Sequence, residues 1–550
     1  MLTHSSVRAV PFLRVASMLV MIASGAHVVS ALDHEHAGHA MGKVDFPISC
    51  SKPAQMQFSA AVALLHHMTY TEAREAFERV VKTDPRCAMA HWGVAMTLFQ
   101  PLWPTRPRPA ELLRGWDSVQ QAKALRAPTE REQLFVAATE AFFLDPASSD
   151  FWLRIGRWEQ AMEKVYTRFP DDPEAAAFYA LALLATAPSN TVSRTHADQA
   201  ADILLRLYRR NPQHPGAMHY LIHANDMPGR ERESLEITHK YESAAPDNAH
   251  ALHMPTHIYT RLGDWSGVIR GNLRAAAAAR IQPAGEHGEF VSDEFPHAIE
   301  YLLYAYLQKG QDDAAAAQLQ RLRSTPQLEP TFKTAFHLAS TQSRYALERR
   351  AWNDAFAIVP RQPLTLDWDR YTWPEAIARF ARGRGAAQLG KLDEAAIEVT
   401  HLARLEAATV KAKEDLFARS IRVLRLELNS WVANASGQQE GSTALMREAA
   451  ELEASTPKHA VTPGPTLPAF EQLGDLLMEQ KRPAPALAAY QRALDHYPRR
   501  FNSLLGAARA AHALGDDSTA RDFYQQLLKV ADGGTRQPAL QEAATFPTAQ

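Results

Sequence analysis

The sequence has only two cysteines in 550 residues, Cys50 and Cys87, and they stand too far apart to form a CxxC redox pair. An excess of one charge is also missing. Lys+Arg number 59 and Asp+Glu 61, a formal charge of −2, so nothing in the composition attracts nucleic acid or an anionic membrane surface. After residue 31 no apolar run is long enough to span a bilayer. The chain contains no HExxH element, no phosphate loop and no G-x-S-x-G turn, which removes the general base of a zinc protease, the P-loop and the hydrolase nucleophile. Its length exceeds what one compact core accommodates, leaving several domains or a repeat array.

What is present reads as an all-α protein: apolar residues make up 46%, and helix formers dominate wherever the pattern is periodic. Residues 1–31 have the layout of a signal peptide. Arg8 and Arg14 precede "VASMLVMIASGA", and small residues close "VSA" at 29–31, so export to a periplasm or outside the cell is expected, with cleavage after Ala31. In an oxidising compartment Cys50 and Cys87 are expected to pair and tie the N-terminal segment to the first helical hairpin; two buried thiols are the alternative.

A period of 34 residues is visible near the C-terminus. Aligning "LGDLLMEQKRPAPALAAYQRALDHYP" with the segment from residue 507 sets Leu477 over Ala511, Ala486 over Ala520, Tyr490 over Tyr524 and Leu494 over Leu528. Two amphipathic helices per unit, small residues where helices touch and a closing proline make this segment resemble the tetratricopeptide repeat (TPR) family. "ALLHHMTYTEAREAFERVVKTDPRCAMAHWGVAM" follows the same grammar and is similar to the opening repeat of large exported bacterial TPR proteins. The resemblance implies an α-solenoid of antiparallel helix pairs with a concave groove suited to a protein or peptide partner. The expected layout is a flexible His/Met-rich leader at 32–54, the main array at 55–454, a Pro-rich linker at 455–468, a C-terminal repeat pair at 469–531 and a disordered tail at 532–550. A second Pro-rich segment, "PLWPTRPRP" at 101–109, reads as a loop.

The same period organises the histidines. "HYLIHANDMP" from residue 219 and "HMPTHIYTRLGDW" from residue 253 each hold two histidines four apart, and the pairs His219/His223 and His253/His257 are 34 residues apart. Pro212 and Pro246 close the preceding repeats at the same offset, so the pairs occupy equivalent places, with a helix kink expected at Pro255. The resemblance places all four in the groove. Extending the register through the later turns predicts three rows: His250/His297/His337, His219/His253/Glu300 and His223/His257/Tyr304. Imidazoles so placed can hold a transition metal, copper or zinc. A metal-free recognition groove and purely structural histidines are the competing readings.

A second candidate is the start of the mature chain, where His34 as third residue, with His36, His39 and Met41, offers a tetragonal copper site. His66-His67 is expected to be a partly buried pair at a helix end. The sequence therefore points to an exported TPR scaffold with a histidine-rich, metal-binding groove. The alternatives are a metal-dependent enzyme using the same histidines and a metal-free peptide adaptor.

Overall fold

The computed structural model describes residues 41–547 apart from 149, 188–192 and 286–287. These are almost entirely helix, and the strands among the described residues are the two-residue pair Pro283–Ala284 and Phe290–Val291. Helix starts are written locally. Asp172 caps Pro173–Thr186, Asn248 caps Ala249–His253 and Asp264 caps Trp265–Ile281, each accepting from a backbone N–H of the first turn, one of the donors a helix cannot satisfy internally. Gly263 ends Pro255–Leu262 in the left-handed region at φ +65°, where a Cβ would meet Pro498 O at 2.6 Å.

The helices form antiparallel pairs held by apolar seams, with small residues where large rings must fit. At the C-terminal pair, Tyr490 lies so close to Gly506 that a Cβ there would stand 2.3 Å from its ring. In the middle of the chain the first helices of successive pairs are Pro215–Asn225, then Ala249–His253 continuing as Pro255–Leu262, then Glu294–Gln308 and Phe332–Glu348. The helix divides after His253, ahead of Pro255, which has no N–H to donate, with Met254 keeping helical dihedrals between the two parts.

The array folds back onto these helices from three directions. Its first helix, Lys52–His66, meets Pro215–Asn225, where His66 O accepts from His219 Nδ1 at 2.6 Å. Its C-terminal pair meets the middle: Trp265 Nε1 donates to Arg499 O at 2.8 Å, and Arg500 Nη1 donates to Tyr304 OH at 2.8 Å. The two Pro-rich segments fill the remaining space, Trp103 from one and Val461 and Leu467 from the other being buried.

Three expectations are corrected here. Residues 41–54, expected to belong to a flexible leader, are ordered against the array: Phe46 is buried against Phe58, Trp92 and Phe135, Lys43 N donates to Gln213 O, and a helix begins at Lys52. The 455–468 segment connects two helices but is not a free linker: Arg344 donates to Gly464 O and Pro465 O, and Lys458 Nζ stands 2.7 Å from Asp226. The tail carries the helix Gln537–Thr545, anchored by Arg536 to Asp312 at 2.8 Å. Cys50 and Cys87 are joined by a disulfide, 5.3 Å between Cα atoms. Among the described residues no helix is long and apolar enough to cross a membrane.

Candidate metal centre

The first helices of four successive pairs direct seven histidines to one place. They meet as two adjoining triads, His219/His223/His250 and His253/His257/His297, each with ligand nitrogens within 4.8 Å of one another, and His337 backs the second. The expected rows are partly corrected. His223 and His257 are neighbours as predicted, ring centres 6.0 Å apart, but His219 meets His250 rather than His253. His253 in turn meets His297, at 4.1 Å, rather than Glu300. Both departures are slips of three residues, nearly one helical turn, and His257 likewise meets Tyr301, ring centres 5.4 Å apart, rather than Tyr304.

Burial departs further from expectation. His219, His250, His253, His257, His297 and His337 are at most 1% exposed, and only His223 is half-buried, so they do not line an open groove. The groove is closed because Trp103 packs 5.2 Å from the His250 ring and Lys458 reaches the Asp226 carboxylate beside His257.

The outer nitrogens fix the tautomers. His257 Nδ1–H donates to Asp226 Oδ2 at 2.8 Å. His253 Nδ1–H donates to Asn272 Oδ1 at 2.7 Å, the amide orientation being set by Asn272 Nδ2 donating to Val268 O. His337 Nδ1–H donates to Glu300 Oε2 at 2.6 Å, Arg344 balances that carboxylate, and His297 Nδ1–H then donates to His337 Nε2 at 2.8 Å. Each of the three inner Nε2 atoms is left with a lone pair and no proton. His253 Nε2 and His257 Nε2 nevertheless stand 3.0 Å apart, and His297 Nε2 is buried without a partner. Ligand nitrogens ~2.0–2.1 Å from a tetrahedral ion lie roughly 3.3–3.4 Å apart, so small shifts bring these three onto one centre.

Protonation does not relieve the crowding. Burial, reinforced by neighbouring imidazoles, holds His253 and His297 well below the usual histidine range, and burial brings His257 down to about 4 against the pull of Asp226. The rings are neutral at physiological pH, the form that binds metal. The neighbouring triad is less constrained. His219 Nδ1–H is committed to His66 O, so its Nε2 accepts, and a proton on His223 or His250 satisfies one of its two contacts, 3.2 and 3.0 Å.

Glu300 and Tyr304, expected in the rows, sit outside the triads: Glu300 orients His337, and Tyr304 accepts from Arg500. His34, His36 and His39 lie outside the described residues, whereas Met41 packs on the core and its carbonyl accepts from His67 Nε2 at 3.0 Å. His66 and His67 are fully buried rather than partly. His66 gathers with Glu174 and His214, yet there the hydrogen bonds close: His214 Nδ1 accepts from Ala217 N and its Nε2–H donates to Glu174, while His66 bridges Glu174 and Tyr220. That triad is a structural network.

Sequence reasoning missed Asp226, Asn272, Trp103 and Lys458. One signal was available, since Asn272 stands inside the helix "WSGVIRGNLRAAAAARI", where an asparagine is disfavoured unless its side chain is used.

The tetratricopeptide repeat family profile matches residues 53–100 and 471–535. No curated protein matches the chain. Similar solved structures include a human IFIT1 dimer with PPP-AAAA, at 12% identity and TM-score 0.38, covering 81% of this chain and 91% of that one. A human IFIT1 dimer with m7Gppp-AAAA is alike at 12% and 0.38, covering 81% and 90%. A likeness of this degree carries no argument about the site.

Proposed function

This is a tetratricopeptide-repeat protein, and from that premise we propose that it is an exported scaffold or binding protein that holds a transition metal, copper or zinc, within its repeats. The tight position is His253/His257/His297, and His219/His223/His250 provides a second, weaker one beside it. The observation that carries the reading is the pair of proton-free Nε2 atoms of His253 and His257 at 3.0 Å, with His297 Nε2 unpartnered next to them. Lone pairs facing at that distance repel unless a cation stands between them, and burial disfavours the proton. Asp226 and Glu300 lie behind the rings, where carboxylates orient metal-binding histidines and offset the charge of an ion. Export is supported by the signal-like first 31 residues and by the joined Cys50 and Cys87. Tetratricopeptide proteins in general bind protein partners, and a partner here meets faces of the array other than the buried histidine face.

The test is elemental analysis of untagged protein purified from its native compartment, repeated after zinc or copper loading and dialysis. At least one ion per chain is expected to survive dialysis. Protein that retains none after loading overturns the reading.

A further inference from the structure

A cavity of about 520 Å³ opens on the histidine cluster at its one half-buried member, His223. Its size is that of a small-molecule site and too small for a folded partner. Both Pro-rich segments wall it, Trp103 and Arg106 from the first and Lys458 and His459 from the second. We infer that this chamber binds a small organic carboxylate with an apolar or aromatic body, its carboxylate at the Arg261–Lys458 end beside His223.

The charges at that end do not balance. Arg261 Nε and Lys458 Nζ, 2.8 and 2.7 Å away, share the single carboxylate of Asp226, which also takes the His257 proton donor. Two fixed cations with one anion leave room for another anion, and the planar guanidinium suits a carboxylate. The other acids on the wall do not fill that role. Glu414 is engaged by both Arg106 Nε and Nη2, and burial pushes the Glu453 carboxyl up to about 8, leaving it uncharged at neutral pH. His459 adds a neutral donor, because its Nδ1 accepts from Val461 N and its remaining Nε2 carries the proton. The wall also carries apolar groups, Trp103, Leu184, Leu416 and Phe417, with Phe417 packed 5.5 Å from the His459 ring. A ligand with a charged group and an apolar body matches both kinds of surface, whereas inorganic phosphate matches only the first. These features belong to the chain alone, so the inference stands apart from the metal reading.

The experiment is calorimetric titration of the full chain, metal-free and zinc-loaded, with benzoate and hexanoate against benzamide, hexanamide and inorganic phosphate. One carboxylate per chain is expected to saturate, at least tenfold tighter than its own amide and than phosphate. Lys458→Met, which leaves Asp226 paired with Arg261, is expected to weaken it at least tenfold. Ala454→Trp, on the exposed mouth, is expected to block entry without touching the charged end. Failure of both carboxylates to saturate, amides binding as tightly as acids, or two folded variants that bind like wild type each overturns the proposal. Carboxylate binding that persists without metal supports it even if the metal reading fails.

Discussion

His253 and His257 face each other through Nε2 atoms 3.0 Å apart, and neither has a proton to give the other, since Asn272 and Asp226 hold both protons on the far side of the rings. If a metal relieves that contact, removing either ring removes the tight site. His253→Ala and His297→Ala are each expected to abolish tight metal retention, and the double variant to add little. Chelation should lower the melting temperature of wild type more than that of His253→Ala, because the ion binds the folded array and not the open chain. Equal metal content in wild type and both variants would show that the contact is relieved in another way.

The two triads should separate in titration. His250→Ala is expected to remove the weaker binding step and keep the tighter one, whereas His297→Ala removes the tighter. Loss of both steps together in each variant would mean a single shared ion.

Glu300 touches no inner nitrogen, yet through His337 it decides which nitrogen of His297 carries a proton. Glu300→Gln should weaken metal affinity roughly 10–100-fold, with all inner ligands still present. Unchanged affinity in a folded variant would show that the relay does not set the tautomer.

Acid stability should report on Glu471. Arg500 and Arg350 overcome the cost of burying this carboxylate and hold it down at about 2, against 4.5 for an ordinary glutamate. A depressed folded value stabilises above the unfolded one, so the contribution is intact above about pH 4.5 and lost as pH falls toward 2. The difference corresponds to about 3 kcal/mol. Glu471→Gln is expected to lower the stability at pH 7 and to flatten its pH dependence in that window, which acid titration of urea unfolding would measure.

Reduction should loosen the N-terminal end. Cys50 and Cys87 close a loop across a separation of 37 residues, for which chain entropy alone predicts up to roughly 4 kcal/mol. Cys50→Ser/Cys87→Ser protein should melt at a lower temperature, with proteolysis beginning ahead of Lys52–His66. Identical melting of oxidised and reduced protein would contradict it.

The histidine register was legible because it depends on helix geometry alone: positions 34 residues apart in equal repeats share a face, and His223 and His257 obey this. The rows beyond them were not, because counting from turn to turn fixes a row only to within about one helical turn, and His219, His253 and His257 each meet a partner three residues earlier than that count gives. Burial was least legible. A tetratricopeptide groove is open by default, and nothing local to "HYLIHANDMP" announces that Trp103 and Lys458, distant in sequence, will cover it. Those residues looked like interruptions of the array because prolines cannot continue a helix, and for the same reason they were free to turn inward.

The Lys458 contact with Asp226 also sets a clock. The histidines precede residues 455–468 in the chain, so an ion would have its easiest passage before that segment docks. Afterwards exchange waits on detachment of that segment, a local opening that proceeds independently of ligand affinity. Lys458→Met should therefore speed transfer of bound zinc to a chelator while leaving the equilibrium constant nearly unchanged. An ion covered in this way would stay for a residence time set by the covering loop, even where the surroundings hold little free metal.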